Sequence, residues 1–123
     1  MMASHISLGK LGEDLACKYL SQNGYRIIER NYRKPYGEID IIAQAKNGTL
    51  VFCEVKTLSS VNQDLLTPED HMTASKLRKL QKTAQVFTRE NPRFVREDRG
   101  SRIDLLAVEM RNSASSIRHY ENL

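Results

Sequence analysis

An acidic and a basic side chain, Glu54 and Lys56, lie two residues apart in the apolar stretch LVFCEVK of this 123-residue chain. Residues two apart on a β-strand point to the same face, so both charges would project together from a strand whose other face is buried. Charged groups in apolar surroundings are costly unless they are paired or bind a metal ion. The pair therefore fits either a metal-assisted catalytic site or a salt bridge on an exposed strand face.

A second acid, Asp40, lies in the preceding segment EIDIIA at residues 38–43. This segment alternates polar and apolar residues, which is typical of a half-buried strand. A hairpin would join it to the strand of Glu54, because Asn47-Gly48 between them is a strong turn signal. The hairpin would bring Asp40 within a few ångströms of Glu54.

The length of the hairpin loop decides where Asp40 points. A two-residue turn at Asn47-Gly48 would place Asp40 on the face away from Glu54. A three-residue loop at 46–48 makes the two acids opposite neighbours, and its last position favours a glycine in the left-handed region. We therefore predict the three-residue loop, or a bulge with the same shift, and both carboxylates on one face of the sheet.

Two close carboxylates repel each other when both are ionised, and a hard divalent cation relieves that repulsion. Mg²⁺, or Mn²⁺ in its place, takes oxygen ligands and activates a water for attack on a phosphodiester. This chemistry assigns Asp40 and Glu54 as metal ligands, and Lys56 as the group that orients the water or neutralises the phosphate. Glu13, in the first predicted helix, is either an additional acid that approaches the site or a solvated helical residue.

Hydrophobic periodicity predicts the elements that hold these residues in place. They are, in order, a helix at 7–23, strands at about 25–32, 38–43 and 50–56, a loop at 57–66, a helix from Thr67-Pro68 to about Asn91, a strand at 102–110 and a short edge strand in the last segment. Thr67 is the predicted N-cap of the second helix. The apolar stripe of the first helix is predicted to consist of Leu8, Leu11, Leu15, Tyr19 and Leu20.

The order αβββαβ predicts an α/β fold with a mixed central sheet flanked by helices. The first three strands would form an antiparallel meander, and the helical crossover would make the third and fourth strands parallel. The length is that of one domain. We expect residues 1–123 to form a single domain with its core at about 7–110, and 111–123 to be a C-terminal tail or edge strand.

The net charge is +4, and the basic residues occur in three clusters. Such clusters supply phosphate contacts in nucleic-acid-binding proteins, although a solvated basic surface is the alternative. We assign Arg33, Lys34, Lys76 and Lys79 as nucleic-acid-binding residues, with DNA as the first choice of partner. Tyr36, beside the first cluster, is either a packed residue or one that stacks on a base.

Other features of the composition point to an ordinary intracellular protein. The longest apolar runs fall far short of the roughly 20 residues that span a bilayer, so we expect no membrane partner. The N-terminus has no apolar signal-peptide core, which predicts a cytoplasmic location. Cys17 and Cys53 form no CxxC pair and are expected to be buried free thiols rather than a disulfide.

Four segments, GEDLACKYLSQNGYRIIERNYR, GEIDIIA, LVFCEVKT and RIDLLAV, occur in this order between Gly9 and about Val108. In sequence and separation they resemble the YraN-type family of uncharacterised bacterial proteins. That family is regarded as similar to archaeal Holliday junction resolvases and RecB-type nucleases, so the resemblance implies a restriction-endonuclease-like core of the PD-(D/E)xK type and, by analogy with junction resolvases, a homodimer. The site that it implies consists of Asp40, Glu54 and Lys56 as the catalytic set, Glu13 as a helper acid and the carbonyl of Val55 as a further metal ligand.

The chain departs from the wider superfamily at two positions. Ile39 replaces the proline that often precedes the catalytic acid, and Leu58 replaces an arginine that often follows the catalytic lysine by two residues, which removes one phosphate contact. The expected function is a Mg²⁺-dependent nuclease that hydrolyses nucleic-acid phosphodiester bonds, with DNA, including branched or recombination intermediates, as substrate. The alternative is a non-catalytic nucleic-acid-binding or partner-binding module that retains a nuclease scaffold.

Overall fold

The computed structural model describes residues 4–59, 68–112 and 114–123, which form a five-stranded sheet between helices. The elements are α1 (Ser4–Gln22), β1 (Arg26–Lys34), β2 (Gly37–Gln44), β3 (Leu50–Ser59), α2 (Pro68–His71), α3 (Ala74–Glu90), a 3₁₀ turn (Pro92–Phe94), β4 (Ser101–Arg111) and β5 (Ala114–Tyr120). The strands lie in the order β1-β2-β3-β4-β5. The first three are antiparallel, β4 is parallel to β3, and β5 is antiparallel to β4. The predicted α/β fold, with the element order αβββαβ, a mixed central sheet flanked by helices and an edge strand, is confirmed.

Two apolar clusters, one on each face of the sheet, hold the helices in place. The cluster beside α3 includes Tyr32, Ile39, Ile42, Leu50, Phe52, Leu80 and Phe87. The cluster beside α1 includes Ala16, Leu20, Ile41, Val51, Cys53 and Leu106. Burial of each large apolar side chain contributes roughly 1.5–3 kcal/mol to folding. Both cysteines are free thiols, as predicted, and Cys53 is buried whereas Cys17 is half-buried.

The face of α1 that meets the sheet is centred on small residues rather than on the predicted leucine stripe. Gly12 lies so close to β3 that a Cβ at this position would collide with the Thr57 hydroxyl. Ala16 and Leu20, one and two turns further on, are fully buried, whereas Leu11 is 44% exposed. The predicted stripe is wrong at Leu11 because a glycine lets the helix backbone approach the strand, which rotates the contact face.

The second predicted helix is divided in two. The short helix α2 ends at His71, and α3 begins at Ala74 with Thr73 as its N-cap. The Thr73 hydroxyl accepts a hydrogen bond from the Lys76 backbone N–H at 3.2 Å. As an N-cap, Thr73 stabilises the first turn of a new helix, and this competes with continuation of the preceding one. The prediction of a single helix is therefore wrong. The predicted N-cap, Thr67, lies outside the described residues.

Strand β3 is longer than predicted, because it runs to Ser59 where a loop was expected from residue 57. Its parallel pairing with β4 continues as far as Ser59 with Met110, which keeps the backbone extended. Within the described residues, none of the helices is both long and apolar enough to cross a membrane.

The hairpin between β2 and β3 has the predicted three-residue loop. The Ala45 N–H donates to the Thr49 carbonyl at 2.9 Å, and Gly48, the last loop residue, has a φ of 99°. Beyond the loop, the paired residues run from Gln44 with Leu50 to Ile41 with Cys53. In this register, the residue opposite Asp40 is Glu54. The predicted register is therefore confirmed.

Candidate active site at the opening between β2 and β3

The sheet opens between β2 and β3 at the level of the predicted site. Ile41 and Cys53 are the last paired residues of these two strands in the described part of the chain. The Asp40 carboxylate fills the opening, where its Oδ2 accepts a hydrogen bond from the Val55 backbone N–H at 2.8 Å. Because the N–H groups of a strand lie in the plane of the sheet, this carboxylate takes the place of a backbone acceptor.

An irregularity in the neighbouring strands turns Asp40 into this opening. In β1, Asn31 lies between the residues that pair with Ile39 and Ile41, and it has a left-handed φ of 53°. Ile39 packs on the α3 face of the sheet and Ile41 packs on the α1 face. Residues two apart in a regular strand share a face, so the alternation is interrupted at Asp40.

The two acids line neighbouring grooves. Asp40 lines a groove of about 580 Å³ beside α1, together with Glu13, Val55 and Lys56, which we call the α1 groove. Glu54 lines a groove of about 490 Å³ beside α3, which we call the α3 groove. The register of the two acids is as predicted, and their placement on one face stays a prediction, because the alternation ends where the sheet opens and the Asp40 carboxylate turns into the opening. The grooves adjoin along β3, where Glu54 and Lys56 flank Val55.

The two carboxylates interact across the opening. Burial, and after it the charge of Asp40, raises the pKa of Glu54 from 4.5 to about 7. Burial also raises the pKa of Asp40, against the hydrogen bond from Val55, and the charge of Glu13 adds to the increase. Raised pKa values in adjacent acids mark a place where negative charge is unfavourable and where a cation would be stabilised.

Glu13 is fixed at the edge of this site by β1. Its carboxylate accepts hydrogen bonds from Asn31 Nδ2 at 3.0 Å and from Arg30 Nη2 at 3.3 Å. The Glu13 side chain is 16% exposed. Of the two alternatives for Glu13, this burial favours an additional acid at the site over a solvated helical residue. Sequence analysis did not single out Asn31, although asparagine is depleted in strands and can signal an irregularity.

The predicted nucleic-acid-binding residues divide between the two grooves. Lys34, at the end of β1, and Lys76 and Lys79, on α3, line the α3 groove. Arg33 lines the α1 groove, and its Nη1 lies 2.8 Å from Glu38 Oε2. Basic side chains therefore stand on both sides of the opening.

Asp104 belongs to a separate buried network on β4. Its carboxylate accepts hydrogen bonds from Arg102 Nε at 3.0 Å, from His119 Nε2 at 2.7 Å and from the Asn122 backbone at 3.0 Å. His119 Nδ1 is in turn hydrogen-bonded to the Tyr19 hydroxyl at 2.9 Å. Asp104 and Arg102, two apart on β4, therefore form an ion pair. The role of His119 was missed because only the docking of β5 brings it to Asp104.

We expect Glu54→Gln to stabilise the protein at neutral pH in the presence of EDTA. The unfolded chain releases the Glu54 proton near pH 4.5, but the folded chain holds it until about pH 7. The folded state therefore binds more protons between these values, and the free energy of unfolding falls as the pH rises through this window. Glutamine does not titrate. The free energy of unfolding of the variant minus that of the wild type should therefore be about 1–2 kcal/mol larger at pH 8 than at pH 4.

Urea unfolding at both pH values measures this gain. The exposed Glu90→Gln, at the end of α3, is the matched control for loss of one carboxylate. A stability difference between Glu54→Gln and wild type that is the same at pH 4 and pH 8 would contradict the electrostatic strain at Glu54.

Comparisons with known proteins add a family to this geometry. A family model described as "Uncharacterised protein family UPF0102" matches residues 12–108. A UPF0102 protein of Flavobacterium johnsoniae is 38% identical over 118 residues, which cover 96% of this chain and 94% of the relative. One of Syntrophomonas wolfei is 36% identical over 115 residues, which cover 94% and 95%. The solved structure of Pyrococcus furiosus SfsA in complex with Ca²⁺ is similar over 96% of this chain and 64% of that chain, with 18% identity and a TM-score of 0.41.

Proposed function

The chain belongs to the UPF0102, or YraN-type, family of uncharacterised proteins that its motifs resemble, and we propose that it is a Mg²⁺-dependent nuclease acting on DNA. The observation that carries this proposal is the Asp40 carboxylate, held by Val55 in the opening of the sheet, with Glu54 and Lys56 on either side of Val55. Two acids and a lysine on rigid strands, beside grooves lined by cations, are the groups that phosphodiester hydrolysis needs.

The donor set fits a hard divalent cation. Both acids offer oxygen ligands, and both have a raised pKa that a bound cation would offset. No group of three or more His, Cys, Asp and Glu side chains that could hold a metal occurs in the described residues, but Mg²⁺ is commonly held by one or two carboxylates, waters and substrate phosphates. Asp40 and Glu54 would hold Mg²⁺ or Mn²⁺, with the Val55 carbonyl as a third ligand. When bound, the ion would supply charge neutralisation and an activated water.

Lys56 and Glu13 act beside the two metal ligands in this proposal. Lys56 is exposed, and its charge acts on Glu54, two residues before it, so its ammonium can neutralise the phosphate under attack or orient the attacking water. Glu13 is held next to Asp40 by Asn31, and as the helper acid it can accept a proton from that water.

The basic residues supply affinity for the phosphate backbone. Lys34, Lys76 and Lys79 line the α3 groove beside Glu54, and such contacts make binding fall steeply with salt. Leu58, where related nucleases often have an arginine, is 6% exposed and packs inside the protein. The phosphate near the site is therefore left to Lys56 and to the lysines of α3.

The test is cleavage of a panel of labelled DNA substrates. We expect linear, flapped and four-way DNA of matched sequence to be cut when Mg²⁺ or Mn²⁺ is added, with the branched substrates cut faster, and to remain intact in EDTA. The metal dependence follows from the need for a cation to offset the two acids. Salt-sensitive DNA binding without cleavage of any substrate would instead support the non-catalytic binding module.

Calorimetry provides a second readout of the same site. Binding of Mg²⁺ or Mn²⁺ should weaken at least about tenfold in Asp40→Ala and in Glu54→Ala, because each variant loses a carboxylate ligand. Unchanged metal binding in both variants would overturn the assignment of the metal ligands.

A further inference from the structure

An exposed aromatic ring stands at the tip of the β1–β2 hairpin, where the chain turns back towards the candidate site. Tyr36 is 43% exposed, and in the described part of the chain it is one of two exposed large apolar side chains, the other being Leu11. The Tyr36 hydroxyl is hydrogen-bonded to the Tyr32 hydroxyl at 3.2 Å. This hydrogen bond ties the exposed Tyr36 side chain to the buried Tyr32.

The support beneath this ring is rigid. Tyr32 is 4% exposed, and its ring packs edge-on against Phe87 of α3 with 5.4 Å between the ring centroids. Gly37, the residue after Tyr36, lies so close to α3 that a Cβ there would collide with the Thr83 hydroxyl. A ring on a rigid support loses little conformational entropy when a flat ligand stacks on it.

Cations line the groove that begins beside the tip of this hairpin. The residues on either side of Tyr36, Pro35 and Gly37, line the α3 groove, and so do Lys34, Lys76 and Lys79. Tyr36 therefore lies between two lining residues, at the hairpin end of a groove that also contains Glu54. Proteins that bind single-stranded nucleic acid combine these two features, since cations follow the phosphates and aromatic rings receive the unstacked bases.

We propose that Tyr36 is a stacking platform for an unpaired nucleobase of the substrate strand, next to the phosphate that reaches Glu54 and Lys56. The inference rests on the proposed nuclease function and specifies its substrate as DNA with unpaired nucleotides at the cleavage position. In an intact duplex both faces of a base are covered by its neighbours, so Tyr36 has a partner only when a base leaves the stack. The lysines of the groove favour such a polyanion over an apolar peptide.

The experiment measures DNA binding in EDTA, so that cleavage does not enter the result. The probe is an oligodeoxynucleotide that carries 2-aminopurine, used as a single strand and in a matched duplex. The chain has no tryptophan to interfere with this fluorophore. Tyr36→Ala should weaken single-strand binding about tenfold and abolish the quenching of 2-aminopurine that stacking causes, with less than about a twofold change for the duplex.

Two variants serve as controls. Tyr36→Phe keeps the ring and should keep both the affinity and the quenching, whereas Leu11→Ala removes the other exposed apolar side chain and should change neither. An equal loss of single-strand and duplex affinity in Tyr36→Ala, or no loss at all, would overturn the stacking role.

The proposed nuclease function can fail separately from this inference. If Tyr36→Ala alone loses single-strand binding but wild-type protein cuts no substrate with Mg²⁺ or Mn²⁺, the stacking role stands and the nuclease function is rejected. If wild-type protein cuts DNA but Tyr36→Ala binds single strands like wild type, the nuclease function stands and the stacking role is rejected. If wild-type protein binds no DNA at low salt, both are rejected.

Discussion

Asp40→Asn is expected to lower the rate of metal-dependent DNA cleavage about 10³-fold and to change DNA affinity by less than about twofold. The asparagine oxygen can still accept the hydrogen bond that Val55 donates to the wild-type carboxylate at 2.8 Å, so the strands at the opening should keep their positions. The variant loses the negative charge that would help to hold the cation. Single-turnover cleavage gives the rate, and binding in EDTA gives the affinity.

The matched control for this variant is Asp98→Asn. Asp98 is an exposed acid in the turn before β4, 3.6 Å from Arg96 and 3.7 Å from Arg99, so its replacement removes the same charge away from the opening. The control should cut DNA at the wild-type rate. Wild-type cleavage by Asp40→Asn would exclude the proposed mechanism, and equal losses of cleavage and DNA affinity would assign Asp40 to DNA binding instead.

The register of the β2–β3 hairpin could be predicted because it depends on local chemistry. A loop that ends in a left-handed residue requires glycine or asparagine, and Gly48 occupies that position with a φ of 99°. The parallel pairing of β3 with β4 could be predicted for a similar reason, since a helical crossover between adjacent strands has one common geometry. The hairpin register follows from a few neighbouring residues, and the parallel pairing follows from the order of the elements along the chain.

The direction in which Asp40 points could not be predicted in this way. It depends on the left-handed Asn31 in a different strand and on the end of the β2–β3 ladder. Periodicity assumes unbroken alternation along a strand, so it does not predict the direction of a side chain at a local irregularity. The exposure of Leu11 was missed for a related reason, because the contact face of α1 is set by the fit of Gly12 against Thr57.

Asp104→Asn is expected to lower the free energy of unfolding by about 3 kcal/mol at pH 7. Asp104 is fully buried, and its two carboxylate oxygens accept hydrogen bonds from Arg102, His119 and the Asn122 backbone. Asparagine replaces one of these oxygens by an NH₂ group, which would face a donor. It also leaves the guanidinium of Arg102, whose side chain is 16% exposed, without its closest negative charge.

The effect of Asp104→Asn should shrink in acid. Although burial opposes it, the hydrogen bonds from His119, Asn122 and Arg102 lower the pKa of Asp104 below its ordinary value. The folded chain therefore releases this proton at a lower pH than the unfolded chain does. The stability that the carboxylate contributes is present above the unfolded pKa and is lost as the pH falls through the lower, folded value.

Urea unfolding at pH 7 and at pH 3 measures the loss in Asp104→Asn. Glu109→Gln is the matched control, because Glu109 is a half-buried acid of the same strand whose Oε1 lies 3.6 Å from Arg118 Nε. The control should lose clearly less stability at pH 7, since Glu109 lies closer to solvent and a more exposed ion pair contributes little. Equal losses in the two variants at pH 7 would show that the buried Asp104 network contributes no more to stability than the ion pair of Glu109. A smaller loss at pH 3 than at pH 7 in Asp104→Asn is expected, because the unfolded wild-type chain binds the Asp104 proton below its ordinary pKa of 3.8, and part of the stability from the carboxylate is then lost.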